Sequence, residues 1–228
     1  MNLKILNKLE KILKTSPQVL RDELKLRNVI RATFNITLTD VTFNSISDLV
    51  DKIDDAVLRR YFGEVWQPKT KKFKYSGLKL IDEVNSLKPE AVLDLGCGYN
   101  EFKGKIHNLI GVDPYNSKAD IQQGILEYNP NNKFNVIIVL GSINFGSTDK
   151  IFAELEHAVD LCAPGGTMFF RVNPGLPHTA PESDWIEFYP WDANFIQNCA
   201  DHFGVTVLEL RNDSNNRMYF VWRKKIDK

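Results

Sequence analysis

Two acids and two glycines stand at spacings that suit the capture of a ligand. Asp94 lies in Ala91-Val92-Leu93-Asp94-Leu95-Gly96-Cys97-Gly98, and Asp113 closes Leu109-Ile110-Gly111-Val112-Asp113. Each run reads as a short buried strand with a carboxylate near its end, and the first leads straight into a glycine-rich turn. Ligands of open α/β sheets sit just beyond the carboxyl ends of the strands, so both acids are expected to face one crevice. Gly96 and Gly98 leave room against the backbone, because a Cβ there would block a ligand and oppose positive φ. Asp113 is placed to accept hydrogen bonds from a ribose diol.

Two nucleotide chemistries use such a crevice. A nicotinamide or flavin site wants Gly-x-Gly-x-x-Gly/Ala, with the pyrophosphate resting on a helix N-terminus. Here the third position is Glu101, a carboxylate where the pyrophosphate would lie. A phosphate-free nucleoside carrying positive charge suits this set of acids better. The acid, hydrophobe and Gly-x-Gly loop of Asp94 to Gly98, followed by a strand ending in Asp113, resemble the class I S-adenosylmethionine-dependent methyltransferases. The likeness runs from about Tyr75 to the C-terminus. It implies a Rossmann-like α/β sheet of strand order 3-2-1-4-5-7-6 with an antiparallel last strand, and S-adenosyl-L-methionine as cofactor.

On that resemblance the cofactor-binding residues are Asp94, Gly96, Cys97 through its backbone, Gly98, Asp113, Pro114, Gly124, Ile125, Leu140, Gly141 and Ser142. Asn100 stands where many relatives carry glycine, and Asn tolerates left-handed geometry best among the other residues. Gly124 occupies the place of an acid that commonly meets the adenine amine. Losing one such contact costs about 1 kcal/mol and leaves the backbone to read the ring. The interval from Gly98 to Asp113 is too short for a regular helix between the two strands.

Methyl transfer from a sulfonium is an in-line displacement governed mainly by positioning, so a dedicated base is optional. The run Gly141-Ser142-Ile143-Asn144-Phe145 lacks the Asn/Asp-Pro-Pro-Tyr/Phe of enzymes that methylate exocyclic amines of bases. Cys162 falls in a helix-to-strand turn and reads as structural, and Cys97, Cys162 and Cys199 include no Cys-x-x-Cys pair that would suggest a disulfide framework or a zinc site. No metal site is expected. The segment from Asn173 to Trp191, rich in proline and aromatics, is expected to form an acceptor-binding lid. His178, Glu182, Asp184 and Glu187 are its candidate bases, and Trp185, Tyr189 and Trp191 its candidate stacking rings. No residue is singled out as catalytic.

Around these residues the chain supplies 228 positions, 43% of them apolar, enough for one α/β domain and an appendage. No apolar run reaches membrane-spanning length, and a soluble protein of the reducing cytoplasm is expected. Overall charge is zero, yet residues 1–74 hold 15 Lys/Arg against 9 Asp/Glu, leaving 14 against 20 in the remainder. Lys69, Lys71, Lys72 and Lys74 concentrate part of that excess. The division expected is a basic helical unit at 1–74 and a cofactor domain at 75–228. A small-molecule acceptor is favoured; a nucleic acid or protein acceptor reached through residues 1–74, or a catalytically silent S-adenosylmethionine-binding interaction protein, are the alternatives.

Secondary structure follows from pattern. Helices are expected over 3–14, from Ser16-Pro17 to about Thr33, after Ser47-Asp48, over 76–87, 149–161 and 192–202. Strands are expected at 91–94, 109–113, 134–140, 167–172, 205–210 and 218–222, with a short one near 119–121. A hairpin turn is expected at Asn212–Asn216.

Overall fold

The expected strands pair as the pattern requires in the computed structural model, which describes residues 1–66, 77–176, 178–213 and 216–226. The strands are β1 (Val92–Leu95), β2 (Leu109–Val112), β3 (Phe134–Leu140), β4 (Cys162–Val172), β5 (Thr206–Asp213) and β6 (Arg217–Arg223). They form one sheet in the order β2-β1-β3-β4-β6-β5. β1 to β4 run parallel, and β6 is antiparallel to both β4 and β5. The expected strand near 119–121 is reduced to one parallel bridge, Val112 with Ile121. Counting that bridge as the third strand gives the order 3-2-1-4-5-7-6. Between β1 and β2 the chain makes turns and one isolated bridge, Lys103 with Ile106, and no helix, as the short interval demands.

Alternation along the strands builds two apolar layers. Leu93, Leu95, Ile137, Val139, Phe170, Phe220 and Trp222 pack on one face with α5 (Thr148–Leu161) and α6 (Ala193–His202). Val92, Val136, Ile138, Phe169, Tyr219 and Val221 pack on the other with Leu80 and Val84 of α4 (Gly77–Ser86). Asp94, two residues from Val92 along β1, therefore belongs to the α4 face.

Contacts divide the chain into two units, Met1–Gln67 with Pro177–Glu187, and Pro68–Leu176 with Phe188–Lys228. The first is helical: α1 (Leu3–Thr15), α2 (Glu23–Phe34) and α3 (Ile46–Arg60), then a π-helical turn at Tyr61–Val65. Its interior is Ile5, Leu9, Leu26, Ile30, Phe34, Leu49, Val50, Ile53 and Val57, all buried. The single helix expected from Ser16-Pro17 to Thr33 is two pieces, a 3-10 turn at Pro17–Arg21 and then α2. Asp22 divides them because it adopts an extended backbone and caps α2, its Oδ1 accepting the Lys25 N–H at 3.1 Å. α3 starts earlier than the Ser47-Asp48 signal suggested. Ser45 is the cap, its Oγ accepting the Asp48 N–H at 3.1 Å while Asp48 Oδ2 accepts the Asn44 N–H at 3.0 Å.

Segment 178–187 is part of this helical unit. Buried Glu182 accepts from Asn35 Nδ2 at 2.7 Å and pairs with Arg60 Nε at 3.2 Å. Asn2 Nδ2 donates to the Trp185 carbonyl at 2.7 Å, and the Leu3 N–H to Glu187 Oε1 at 2.7 Å. The Trp185 ring meets Phe34 edge-on at 4.7 Å. The lysine cluster at 69–74 and the boundary expected at 74/75 lie outside the described residues. No helix among the described residues is long and apolar enough to cross a membrane.

Candidate functional site

The loop leaving β1 turns back on β2 through its own backbone. Gly96 and Cys97 N–H both donate to the Val112 carbonyl, at 2.7 and 3.1 Å, and Gly96 and Gly98 take φ of +77° and +53°. Glycine accepts these angles without the strain a Cβ would add. The next donor, Gly98 N–H, reaches Asp113 Oδ2 at 3.0 Å. Asp113 Oδ1 in turn accepts the N–H groups of Tyr115 and Asn116, at 2.8 and 2.9 Å. A carboxylate offers about four acceptor directions, so three are used and one remains for a ligand. Asp113 is thus first a clamp between the two loops, a role its strand-tip position alone did not disclose.

Asp94 is in the opposite situation. It is 3% exposed, and no group among the described residues donates a hydrogen bond to it. Burial, then the charge of Asp113, pushes its carboxyl up to about 8. A bare buried carboxylate is costly unless a cation meets it, so this position fits a positively charged ligand. Cys97, between the two glycines, has its thiol pushed far up by burial first and then by Asp94 and Asp113. It stays protonated and contributes backbone, not a nucleophile.

The exit of β3 is fastened onto this loop. Ser142 Oγ donates to the Leu95 carbonyl, and a Cβ on Gly96 would lie 2.1 Å from Ser142 Cβ. Gly141 takes φ of +95° to make the turn, and Leu140 lies half-buried at the tip of β3. Asn144, in the same run, locks three loops. Its Nδ2 donates to the Gly141 carbonyl at 2.9 Å, its Oδ1 accepts the Asn173 N–H at 2.9 Å, and its carbonyl accepts the Tyr189 N–H at 2.8 Å.

On the β2 side, Pro114 follows the clamp and is half-buried. Asp113 N–H donates to the Ile121 carbonyl at 3.1 Å, which brings the Gly124-Ile125 stretch to the same rim. Ile125 is in the core, and Gly124 N–H donates to Glu127 Oε2 at 3.0 Å. Asp120 is pushed up by burial, but hydrogen bonds from Gly111 N–H, Lys103 and Asn100 outweigh this and hold it below the usual carboxylate range. Asn100 takes φ of +55°, the left-handed geometry its type tolerates. Gly111 was missed by sequence reading. A Cβ there would lie 2.4 Å from Asn100 Oδ1 and 2.9 Å from Cys97 Sγ, so only glycine lets the two loops close.

Residues of the expected lid are largely engaged elsewhere. Glu182, Glu187 and Trp185 make the helical-unit contacts described above, and Trp191 is buried in the sheet core beside Tyr189 and Phe195. His178 Nδ1 shares a hydrogen bond with Tyr61 Oη. Among the described residues no group of three or more His, Cys, Asp or Glu could hold a metal ion.

No family model matches the sequence, and no curated protein sequence matches it. Solved structures do resemble the fold. The 1,6-didemethyltoxoflavin-N1-methyltransferase of Burkholderia thailandensis, solved with 1,6-didemethyltoxoflavin and S-adenosylhomocysteine, superposes with a TM-score of 0.58 at 14% identity over 83% of this chain and 95% of its own. Magnesium protoporphyrin IX methyltransferase of Synechocystis, with bound S-adenosylmethionine, gives 0.53 at 13% over 82% and 100%. The N-methyltransferase NodS of Bradyrhizobium japonicum, with S-adenosylhomocysteine, gives 0.51 at 13% over 75% and 97%. The chain has the class I methyltransferase fold.

Proposed function

We infer that this chain binds S-adenosyl-L-methionine at the carboxyl ends of β1, β2 and β3 and transfers its methyl group to a small molecule. The observation that carries the reading is Asp94, a buried carboxylate on the rim of a glycine loop that no group among the described residues donates to. When bound, the cofactor supplies a methyl on a sulfonium, which leaves for an acceptor's lone pair and releases S-adenosylhomocysteine. The chain's part is to bind and to place. Asp94 offers negative charge to a cationic ligand, Asp113 keeps one acceptor direction toward a ribose, and Gly96 and Gly98 admit a ligand to the backbone. Leu140, Gly141 and Ser142 form the side toward β3, and Gly124 and Ile125 the side beyond β2. No group need be ionised to activate the cofactor, and positioning carries the rate.

A small acceptor is favoured because solved proteins of this fold act on compounds of the size of a didemethyltoxoflavin or a porphyrin. Isothermal titration calorimetry tests the cofactor assignment, and methyl transfer from labelled S-adenosylmethionine into a low-molecular-weight cell fraction tests the acceptor class. Micromolar binding of S-adenosylmethionine and S-adenosylhomocysteine with no binding of NADH is expected. Absence of both at millimolar ligand overturns the reading, and label recovered only in protein or nucleic acid overturns the acceptor class.

A further inference from the structure

The helical unit presents a face that its own packing leaves uncovered. Along α1 the residues Ile5, Leu9 and Ile12 recur at helical spacing, and Ile5 and Leu9 are buried in the unit's interior. One such seam suffices to dock a helix of this length. A second runs beside it, because Leu3, Leu6, Glu10 and Leu13 follow the alternating three-and-four spacing that lines side chains up along a helix. This line faces outward. Leu3 is 56% exposed, Leu6 and Leu13 are half-buried, and Glu10 is exposed.

α3 forms the other bank. Asn2 Nδ2 donates to Asp54 Oδ1 at 2.8 Å at the start of α1, while Ile46 and Ser47 lie beside its last turns, so the two helices run antiparallel. Leu6, Glu10, Leu13, Lys14, Ile46 and Ser47 line an open groove of about 620 Å³. Its lining is thus apolar at three positions, with one acid and one base beside them. Glu10 and Lys14 stand one turn apart with the acid nearer the N-terminus, the order that favours an ion pair within a helix. They form none. Neither side chain has an ion pair or a hydrogen bond among the described residues, so both charges are available across the groove.

We propose that this groove packs against the same groove of a second copy of the chain, forming a dimer about a twofold axis. A twofold contact sets residue i against residue j and j against i. Glu10 of one copy then meets Lys14 of the other, twice over, with Leu13 and Ile46 beside the axis. An unrelated partner would have to bring both charges at the matching spacing, whereas a second copy supplies them by symmetry. A net charge of zero leaves no long-range repulsion between copies.

Sedimentation velocity on the full chain tests the assignment, and its outcome does not depend on the methyltransferase reading. Wild-type protein should be dimeric at about 200 μM, a concentration that reveals even a small contact. Glu10→Lys and Lys14→Glu each set like charges across the axis, so each should weaken the dimer roughly tenfold or more. Mixed in equal amounts, the two variants should pair again, because every charged contact across the axis is then between opposite signs. The double reversal E10K/K14E should match wild type. A wild-type monomer at that concentration overturns the proposal and leaves the groove to a partner other than this chain. A dimer that neither single substitution weakens, or a mixture that fails to pair, places the contact elsewhere and overturns it too.

Discussion

Asp94 in β1 and Asp113, just beyond the end of the adjacent parallel strand β2, are almost equally buried, yet their surroundings differ completely. Three backbone N–H groups converge on Asp113, and among the described residues none reaches Asp94. The first arrangement stabilises a carboxylate in place, while the second leaves one that only a ligand can satisfy. Two acids that look alike in sequence thus differ in what satisfies them: backbone donors hold one, and the other is the group we propose meets a cationic ligand.

Breaking the frame that both acids share should have the largest effect. Gly96→Ala places a Cβ 2.1 Å from Ser142 Cβ at a φ of +77°, and strain plus overpacking should cost about 3–5 kcal/mol. Urea denaturation should show it, with ligand binding lost as well. An unshifted midpoint would mean that the β1 and β3 exits are not fastened together.

Asp113→Asn sharpens the contrast next. One oxygen becomes a donor facing backbone N–H groups, so stability should fall by about 2–3 kcal/mol and S-adenosylhomocysteine affinity by roughly tenfold. Loss of affinity with an unchanged thermal midpoint would make Asp113 a ligand group before a clamp.

Asp94→Asn should act in the reverse sense, weakening S-adenosylmethionine roughly 10- to 100-fold while sparing or raising stability. Because the folded carboxyl is raised from 3.8 to about 8, the native state binds a proton more tightly than the unfolded chain. Its contribution to stability is therefore full at low pH and is lost as pH rises from about 4 to about 8. At pH 8 the variant should be more stable than wild type by about 1–2 kcal/mol, or roughly 4 °C. Wild-type affinity for S-adenosylmethionine should climb from pH 6 to 7.5, with proton release, and D94N should be flat. A flat wild-type profile would show that Asp94 is already ionised without ligand.

The parts legible in the sequence are those set by local pattern. Short apolar runs such as Leu109–Val112, 136–140 and 168–170 mark the parallel strands, since strands covered on both faces are mostly apolar, and the Gly96 and Gly98 turn announces itself by residue type. Less legible is anything decided by a distant partner. Asp22 divides a helical stretch by capping its second half, and Ser45 outcompetes Ser47 because Asp48 returns the bond. Gly111 looks like an ordinary strand residue until Asn100 and Cys97 are seen against it. The three donors on Asp113 come from two loops, and neither spacing nor composition encodes their convergence. The aromatic, acidic stretch near Trp185 carries the same residue types whether it meets a ligand or packs on helices.

Glu182 gives the chain an unusual indivisibility. Its carboxylate is answered by Asn35 and Arg60, residues well over a hundred positions earlier. The helical body is therefore discontinuous, assembled from an N-terminal stretch and a short excursion made after the fourth strand. Excising the first 74 residues would leave Glu182 without Asn35 and Arg60. It would strand a buried acid and deprive Trp185 of Phe34, so the helical unit is whole only when both stretches of chain are present.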